Sequence, residues 1–423
     1  MQSKINMRNK VIFAIIFFFF IYDCYFKHFI STTNTYFSFI GIVLFIIYSP
    51  YLKKISKTDI YHILLFGIML IWALIVMLYN GTRDYSFIRN ELIREIFFPF
   101  FSAFFIALIG RNIIKSFYEL LKLINILGSI QSILIILAFL FSEIKDWIIS
   151  LQTIAERELA ILDVGIRSIG LGIRFDYGAF TISVIMIFTC YLFINCENEK
   201  EKNYYIFSFF LQMIAGALLA RSIIIGILFS CIYLLLIYKK WNRTLIFLFK
   251  ILLLVLLLVI CINLFFPELL IKYSKTLSWM FQYIFPDSSY QGGNTLNTLF
   301  TEMYFQPKEF KTWIMGDGLF QNSNGYAYMR TDALFMRYLL FWGIPGICIF
   351  IIFYKVNVLE VKKSYKNDFI KNNKFDINTF TLLFEILFFM YMIVYIKLNY
   401  HFIKYIFLFL WFLYFNRNKA YRR

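Results

Sequence analysis

Residues 316–346 read GDGLFQNSNGYAYMRTDALFMRYLLFWGIPG. The stretch begins polar, with Gly316, Asp317, Gly318, Asn322 and Asn324. It then places Arg330, Asp332 and Arg337 at the mouth of an apolar run from Ala333 to Tyr354. That run is long enough to cross a bilayer, which takes about 20 mostly apolar residues. Charged residues at such a mouth are paired, solvated or in use. The stretch therefore predicts a spanning helix whose polar lead-in forms the floor of a site facing the outside of the cell.

The rest of the chain fits a membrane setting. It is 61% hydrophobic and 16% charged, where soluble domains carry roughly 45–50% apolar and about 25% charged residues. Twelve apolar runs are candidates for membrane helices, at 11–29, 36–49, 60–79, 96–110, 120–141, 178–195, 204–220, 222–238, 244–266, 333–354, 378–396 and 402–416. Lipid cannot satisfy bare backbone groups, so each must be helical. The expected fold is an all-α polytopic membrane protein of about 12 transmembrane helices, forming a single transmembrane domain over 1–423.

The net charge of +17 follows side rather than function. If the N-terminus is cytoplasmic, the inner segments 1–10, 50–59, 111–119, 196–203, 239–243, 355–377 and 417–423 hold 23 of the 42 Lys and Arg residues. This is the positive-inside pattern, with both termini inside. No soluble basic face is present, which argues against a nucleic-acid partner. Lys4, Arg8 and Lys10 precede a first membrane helix without a small-residue cleavage site, so no removed signal is expected. The six cysteines are scattered without a CxxC, and read as small core residues. The three histidines share no spacing, so no metal site is expected and no cofactor is implied.

Two long segments then lie outside, 142–177 and 267–332. Loops of this length are usually functional or disordered. Their amphipathic runs, Glu143–Leu162 and Leu296–Phe305, suit helices lying at the membrane surface.

Arginine and lysine divide by side. Of 15 arginines, nine fall outside or at the outer edge: 83, 89, 94, 157, 167, 174, 221, 330 and 337. A topology signal alone does not push arginine outward. Its planar fork suits bidentate phosphate binding; the competing use is ion pairing with Asp84, Glu91, Glu95, Glu156 and Glu158. Arg167, Arg174 and Asp176 sit in DVGIRSIGLGIRFDYGAF (163–180), whose glycines let backbone come close to a ligand or to another helix. Arg221 falls between two apolar runs in IAGALLARSIIIGILF (214–229), where a lone arginine within the membrane costs ~2.5–3.5 kcal/mol. It should face a cavity or partner, or snorkel from a tight hairpin. Asp332 could cap a helix, pair with Arg330 or Arg337, or take a proton from a hydroxyl. Gly316-Asp317-Gly318 is a turn, with Asp317 a candidate ligand group.

Together these pieces resemble the O-antigen polymerase family, the Wzy-type oligosaccharide repeat-unit polymerases. The matching residues are Arg167-x-x-Gly170 before a helix, Ala220-Arg221-Ser222 at a helix start, Gly316-x-Gly318 followed by Asp332, and Gly343-Ile344-Pro345-Gly346. The helix number and the two external loops agree as well. The resemblance implies a GT-C-like membrane glycosyltransferase with two long periplasmic loops in the bacterial inner membrane. It implies transfer of a growing glycan from undecaprenyl pyrophosphate to another lipid-linked repeat unit on the periplasmic face. Partners would be undecaprenyl-pyrophosphate-linked glycans, the lipid bilayer and a chain-length regulator protein. Asp332, Arg221 and Arg167 would be catalytic; Arg174, Asp176, Arg330, Arg337 and Asp317 would bind pyrophosphate or glycan. No DxD cluster is evident outside, so arginines would do the work of a metal.

Two alternatives bear on this resemblance. The related O-antigen ligases place a histidine near the end of the late loop, and this chain has none between 63 and 400. A lipid-linked oligosaccharide flippase has a similar helix number, but should have short loops and charge along a path through the membrane.

Overall fold

A computed structural model describes residues 2–49, 57–163, 167–237, 241–265, 298–322, 325–372, 377–397 and 402–419. Each of the twelve apolar runs falls on a helix. In chain order the helices are α1 (Gln2–Tyr22), α2 (Thr33–Tyr48), α3 (Lys57–Asn80), α4 (Ile88–Gly110) and α5 (Phe117–Leu140). Two short helices come next, α6 (Ser142–Leu151) and α7 (Glu156–Asp163), then α8 (Phe175–Asn195), α9 (Glu199–Leu219), α10 (Ile223–Leu236) and α11 (Trp241–Phe265). After a short α12 (Phe310–Met315) come α13 (Leu334–Asn372), α14 (Ile377–Lys397) and α15 (Ile403–Lys419). Among the described residues no strand forms, only isolated bridges. Among the described residues six helices are long and apolar enough to cross a membrane: α4, α5, α8, α11, α13 and α14. The chain is an all-α protein with the helices of a multi-pass membrane protein.

Several boundaries differ from the sequence reading. α1 stops at Tyr22 rather than 29, because the chain turns at Asp23 (φ 47°) and Phe26 bridges Gln152. The segment 355–377, expected as an inner loop, continues α13 as far as Asn372. Its lysines and glutamate are good helix formers, and Glu360 meets Lys363 one turn on at 4.0 Å. The run Glu143–Leu162 divides into α6 and α7. Of the second long loop, 267–297 lies outside the described residues; within the rest, Leu299–Met303 forms a π-turn. All six cysteines are free, but Cys261 and Cys348 are exposed rather than in the core.

The chain divides into two compact units. The first comprises Met1–Thr33, Ile113–Gly292 and Lys374–Leu387, and the second Asn34–Asn112, Gly293–Asn373 and Phe388–Arg423.

α8 is the core of the first unit, buried along almost its whole length. Small residues let its neighbours approach. A Cβ on Gly226 of α10 would stand 2.2 Å from Ser183 Oγ, and one on Gly128 of α5 would stand 2.7 Å from Ile185. Polar side chains tie the same helices together. Asn125 donates to Thr189 at 2.6 Å and to Ser208 at 3.0 Å, and Thr189 donates to Gln212 at 3.0 Å. Small residues and interhelical hydrogen bonds are what hold helices together where solvent is as apolar as the core.

In the second unit α13 is broken. Gly343 adopts φ 69°, ψ −174°, two residues before Pro345. Proline has no N–H for the carbonyl four residues back, that of Phe341, and the break removes the neighbouring bonds too. Three polar groups take over. Asp317 N donates to Leu340 O at 2.6 Å and Gly318 N to Phe341 O at 3.1 Å. Trp72 Nε1 donates to Trp342 O at 2.9 Å. The 316–318 turn is thus docked into the gap of a membrane helix, where exposed carbonyls would otherwise be intolerable. Asn80 and Thr82 hold the turn by donating to Gly316 O (3.2 Å) and Gly318 O (2.8 Å).

Candidate functional site

The first unit gathers four of the residues singled out by sequence. Arg167 and Arg174 flank a tight loop. An Ile169–Arg174 bridge closes it, Gly170 N donates to Ile173 O at 2.9 Å, and Gly172 takes φ 74°. Ser168 N donates to Leu218 O at 2.9 Å, joining this loop to the end of α9. Arg221 is the middle residue of the three-residue corner, 220–222, between α9 and α10. The next residue, Ser222, donates to Asp176 Oδ1 at 2.5 Å, joining the start of α10 to the first turn of α8. Arg167, Arg174, Asp176 and Arg221 therefore lie at one end of the α8–α9–α10 bundle.

Each side chain has a defined setting. Arg174 is the residue preceding α8, and its Nη2 lies 2.7 Å from Glu158 Oε2 of α7. Its Nε is buried with no hydrogen-bond partner among the described residues. Arg167 stacks on Phe175, with Cζ 5.3 Å from the ring centroid. Arg221 is half-buried. Of the carboxylates weighed as partners for the outer arginines, Glu158 takes Arg174 and Glu95 meets Arg94 at 3.8 Å. Such a group can hold a di-anion by guanidinium forks at a helix start, the positive end of the helix dipole.

The second unit carries the other four. Asp317 is engaged within its own turn, accepting from Thr312 Oγ1 at 2.6 Å and from the Tyr328 hydroxyl. Burial pushes the Tyr328 hydroxyl above its ordinary value, and the Asp317 carboxylate beside it adds to that. Arg330 is exposed at φ 56°. Asp332 is exposed, and the hydroxyl of Thr331, not its carboxylate, meets the Ala333 amide at the start of α13 (3.3 Å). Arg337 lies 3.7 Å over the Phe320 ring, and its Nε is buried and unpartnered among the described residues.

Sequence reading missed how this mouth is built. Asp84 accepts from Phe320 N at 2.6 Å and Gln321 N at 2.8 Å, and also from Ser86, so it pins the ring on which Arg337 rests. Burial works to raise the Asp84 carboxyl, but the bonds from Ser86, Gln321 and Phe320 outweigh it and hold the group below its ordinary value. Glu91, weighed only as an ion-pair partner, is fully buried in the π-helical start of α4 and accepts from Tyr338 at 3.0 Å. Among the described residues no three His, Cys, Asp or Glu side chains gather as metal ligands.

No family model matches the chain, and no curated protein matches it.

Proposed function

We propose that the chain is a surface-polysaccharide polymerase. It joins undecaprenyl-pyrophosphate-linked oligosaccharide repeat units at the periplasmic face of the bacterial inner membrane, by metal-independent glycosyl transfer. On this reading all twelve apolar helices belong to a GT-C-like membrane fold with both termini in the cytoplasm. The observation that carries the proposal is the placement of Arg167, Arg174 and Arg221 beside the starting ends of α8 and α10. A helix start is the positive end of its dipole, so cations there are unfavourable by ~0.3–1 kcal/mol each. An anion shared among them reverses the sign. A diphosphate leaving group is that anion. As an acceptor hydroxyl attacks the anomeric carbon, the bond to pyrophosphate breaks and its electrons pass to an oxygen that the guanidiniums stabilise. The hydroxyl proton passes to solvent.

The test is a surface-glycan gel of a strain lacking the gene, with lipid-linked intermediates extracted in parallel. Single repeat units on the lipid A core, with the ladder gone, support the proposal. Long polymer held on undecaprenyl pyrophosphate would mean a ligase, and single units trapped on the cytoplasmic face a flippase. Complementation with Arg221→Ala should give full protein and no polymer; polymer of normal length removes Arg221 from the site.

A further inference from the structure

Two buried glutamines hold the arginine loop, and nothing in the proposed chemistry uses them. Gln152, 2% exposed, caps the end of α6. Its Nε2 donates to Gly170 O at 3.1 Å and to Ile148 O at 3.3 Å, and its Oε1 accepts from Gly172 N at 2.8 Å. Gln131 of α5, fully buried, donates to Leu171 O at 3.0 Å from another helix. Three consecutive residues, 170, 171 and 172, thus have backbone groups fixed by side-chain amides. The space is as closely set. A Cβ on Gly172 would stand 2.1 Å from Tyr22 O, and one on Gly170 would stand 2.3 Å from Gln131 Nε2. Arg167 precedes this clamped triplet by three residues and Arg174 comes two residues after it.

We infer that Gln152 is a positioning residue of the arginine site, its single carboxamide fixing the loop that sets where Arg167 and Arg174 stand. The inference rests on the reading of that site as a diphosphate site. Bidentate recognition needs the fork held in place, whereas attraction by charge alone does not. Gln152→Met keeps the length, the neutrality and all three arginines while removing both loop bonds. Gln152→Asn keeps the amide and retracts it by one methylene.

The experiment is calorimetric titration of inorganic pyrophosphate into the full-length protein in detergent, with a melting curve to confirm folding. Gln152→Met is expected to weaken binding on the order of tenfold, the scale on which small misplacements act, with Gln152→Asn intermediate. Arg174→Lys should then cost much less in the Gln152→Met background than in the wild type, because the fork geometry is already lost. Should Gln152→Met not fold, the same cycle is run on Gln152→Asn. Wild-type affinity in the folded Gln152 variants, or losses that simply multiply with Arg174→Lys, overturns the positioning role and leaves the anion site standing. If wild type binds pyrophosphate no better than the Arg167→Ala, Arg174→Ala, Arg221→Ala triple variant, the anion site itself falls, and the positioning role with it.

Discussion

Gly316→Ala tests whether the 316–318 turn truly fills the break in α13. Gly316 stands at φ 69°, ψ −177°, a region essentially confined to glycine. Entering it costs a side-chain-bearing residue ~1–3 kcal/mol. The added methyl would lie 2.4 Å from Phe341 O, 2.5 Å from its carbonyl carbon and 2.6 Å from Trp342 N. None of these is the end of a flexible side chain, so the turn must back out. Backing out releases the bonds from Asp317 N to Leu340 O and from Gly318 N to Phe341 O. Each buried carbonyl left bare costs ~1–3 kcal/mol. The total is about 3–9 kcal/mol, a large share of the ~5–15 kcal/mol that holds an ordinary domain. The assay is denaturant or thermal unfolding of the purified protein in detergent, beside Gly67→Ala as control. Gly67 lies within α3, and its added Cβ meets nothing within 4 Å. Alanine there should leave stability unchanged or raise it by up to ~1 kcal/mol. If Gly316→Ala unfolds together with wild type, the turn is not docked in the helix break and the account of α13 is wrong.

Two further substitutions probe the second unit. Asp84, held below its ordinary carboxyl value of 3.8, contributes stability that is fully present above that value and is lost as pH falls through its depressed one. Acid unfolding of wild type should show that loss below about pH 4, and Asp84→Asn should lack the dependence while being less stable at neutral pH; parallel curves would mean the carboxylate does not hold Phe320 and Gln321. Asp332→Asn should leave the melting curve in place, because the side chain is exposed; a lowered melting temperature would mean that the carboxylate helps to hold the start of α13.

How much of the fold can be read from sequence depends on what each kind of signal measures. Apolar runs report which segments favour an apolar setting, and each of the twelve falls on a helix, six of those described being long and apolar enough to cross a membrane. The break in α13 was not, although Gly343 and Pro345 were in plain view. Hydropathy counts side chains, whereas the break is a matter of which carbonyls are free and which distant amides reach them. Asp317 and Gly318 do so from more than twenty residues upstream, and Trp72 from 270 away. The arginine group was legible because charge against the topology rule is conspicuous at each position alone. Its supports were not. A glutamine has no pattern that announces a bond to backbone 18 or 40 residues on, as Gln152 and Gln131 make to Gly170 and Leu171. Glu91 was visible as a carboxylate, but its burial depends on the wide turn that opens α4 before Pro99.

The two ends of α8 place arginines in opposite electrostatic settings. At its far end Arg243 Nη1 donates to Ile194 O at 2.7 Å and to Cys196 O at 3.2 Å. That cation meets the carbonyls with which a helix finishes, where a positive charge is favourable and needs no ligand. At the near end the same helix starts behind Arg174, with Arg221 one residue from the Ser222–Asp176 bond and Arg167 stacked on Phe175. The dipole there opposes a cation as surely as it favours one at Arg243. Glu158 and Asp176 offset part of the charge, since Glu158 pairs with Arg174 and Asp176 stands in the first turn. The proposed diphosphate would bring several oxygens to several forks at the positive ends of two helices.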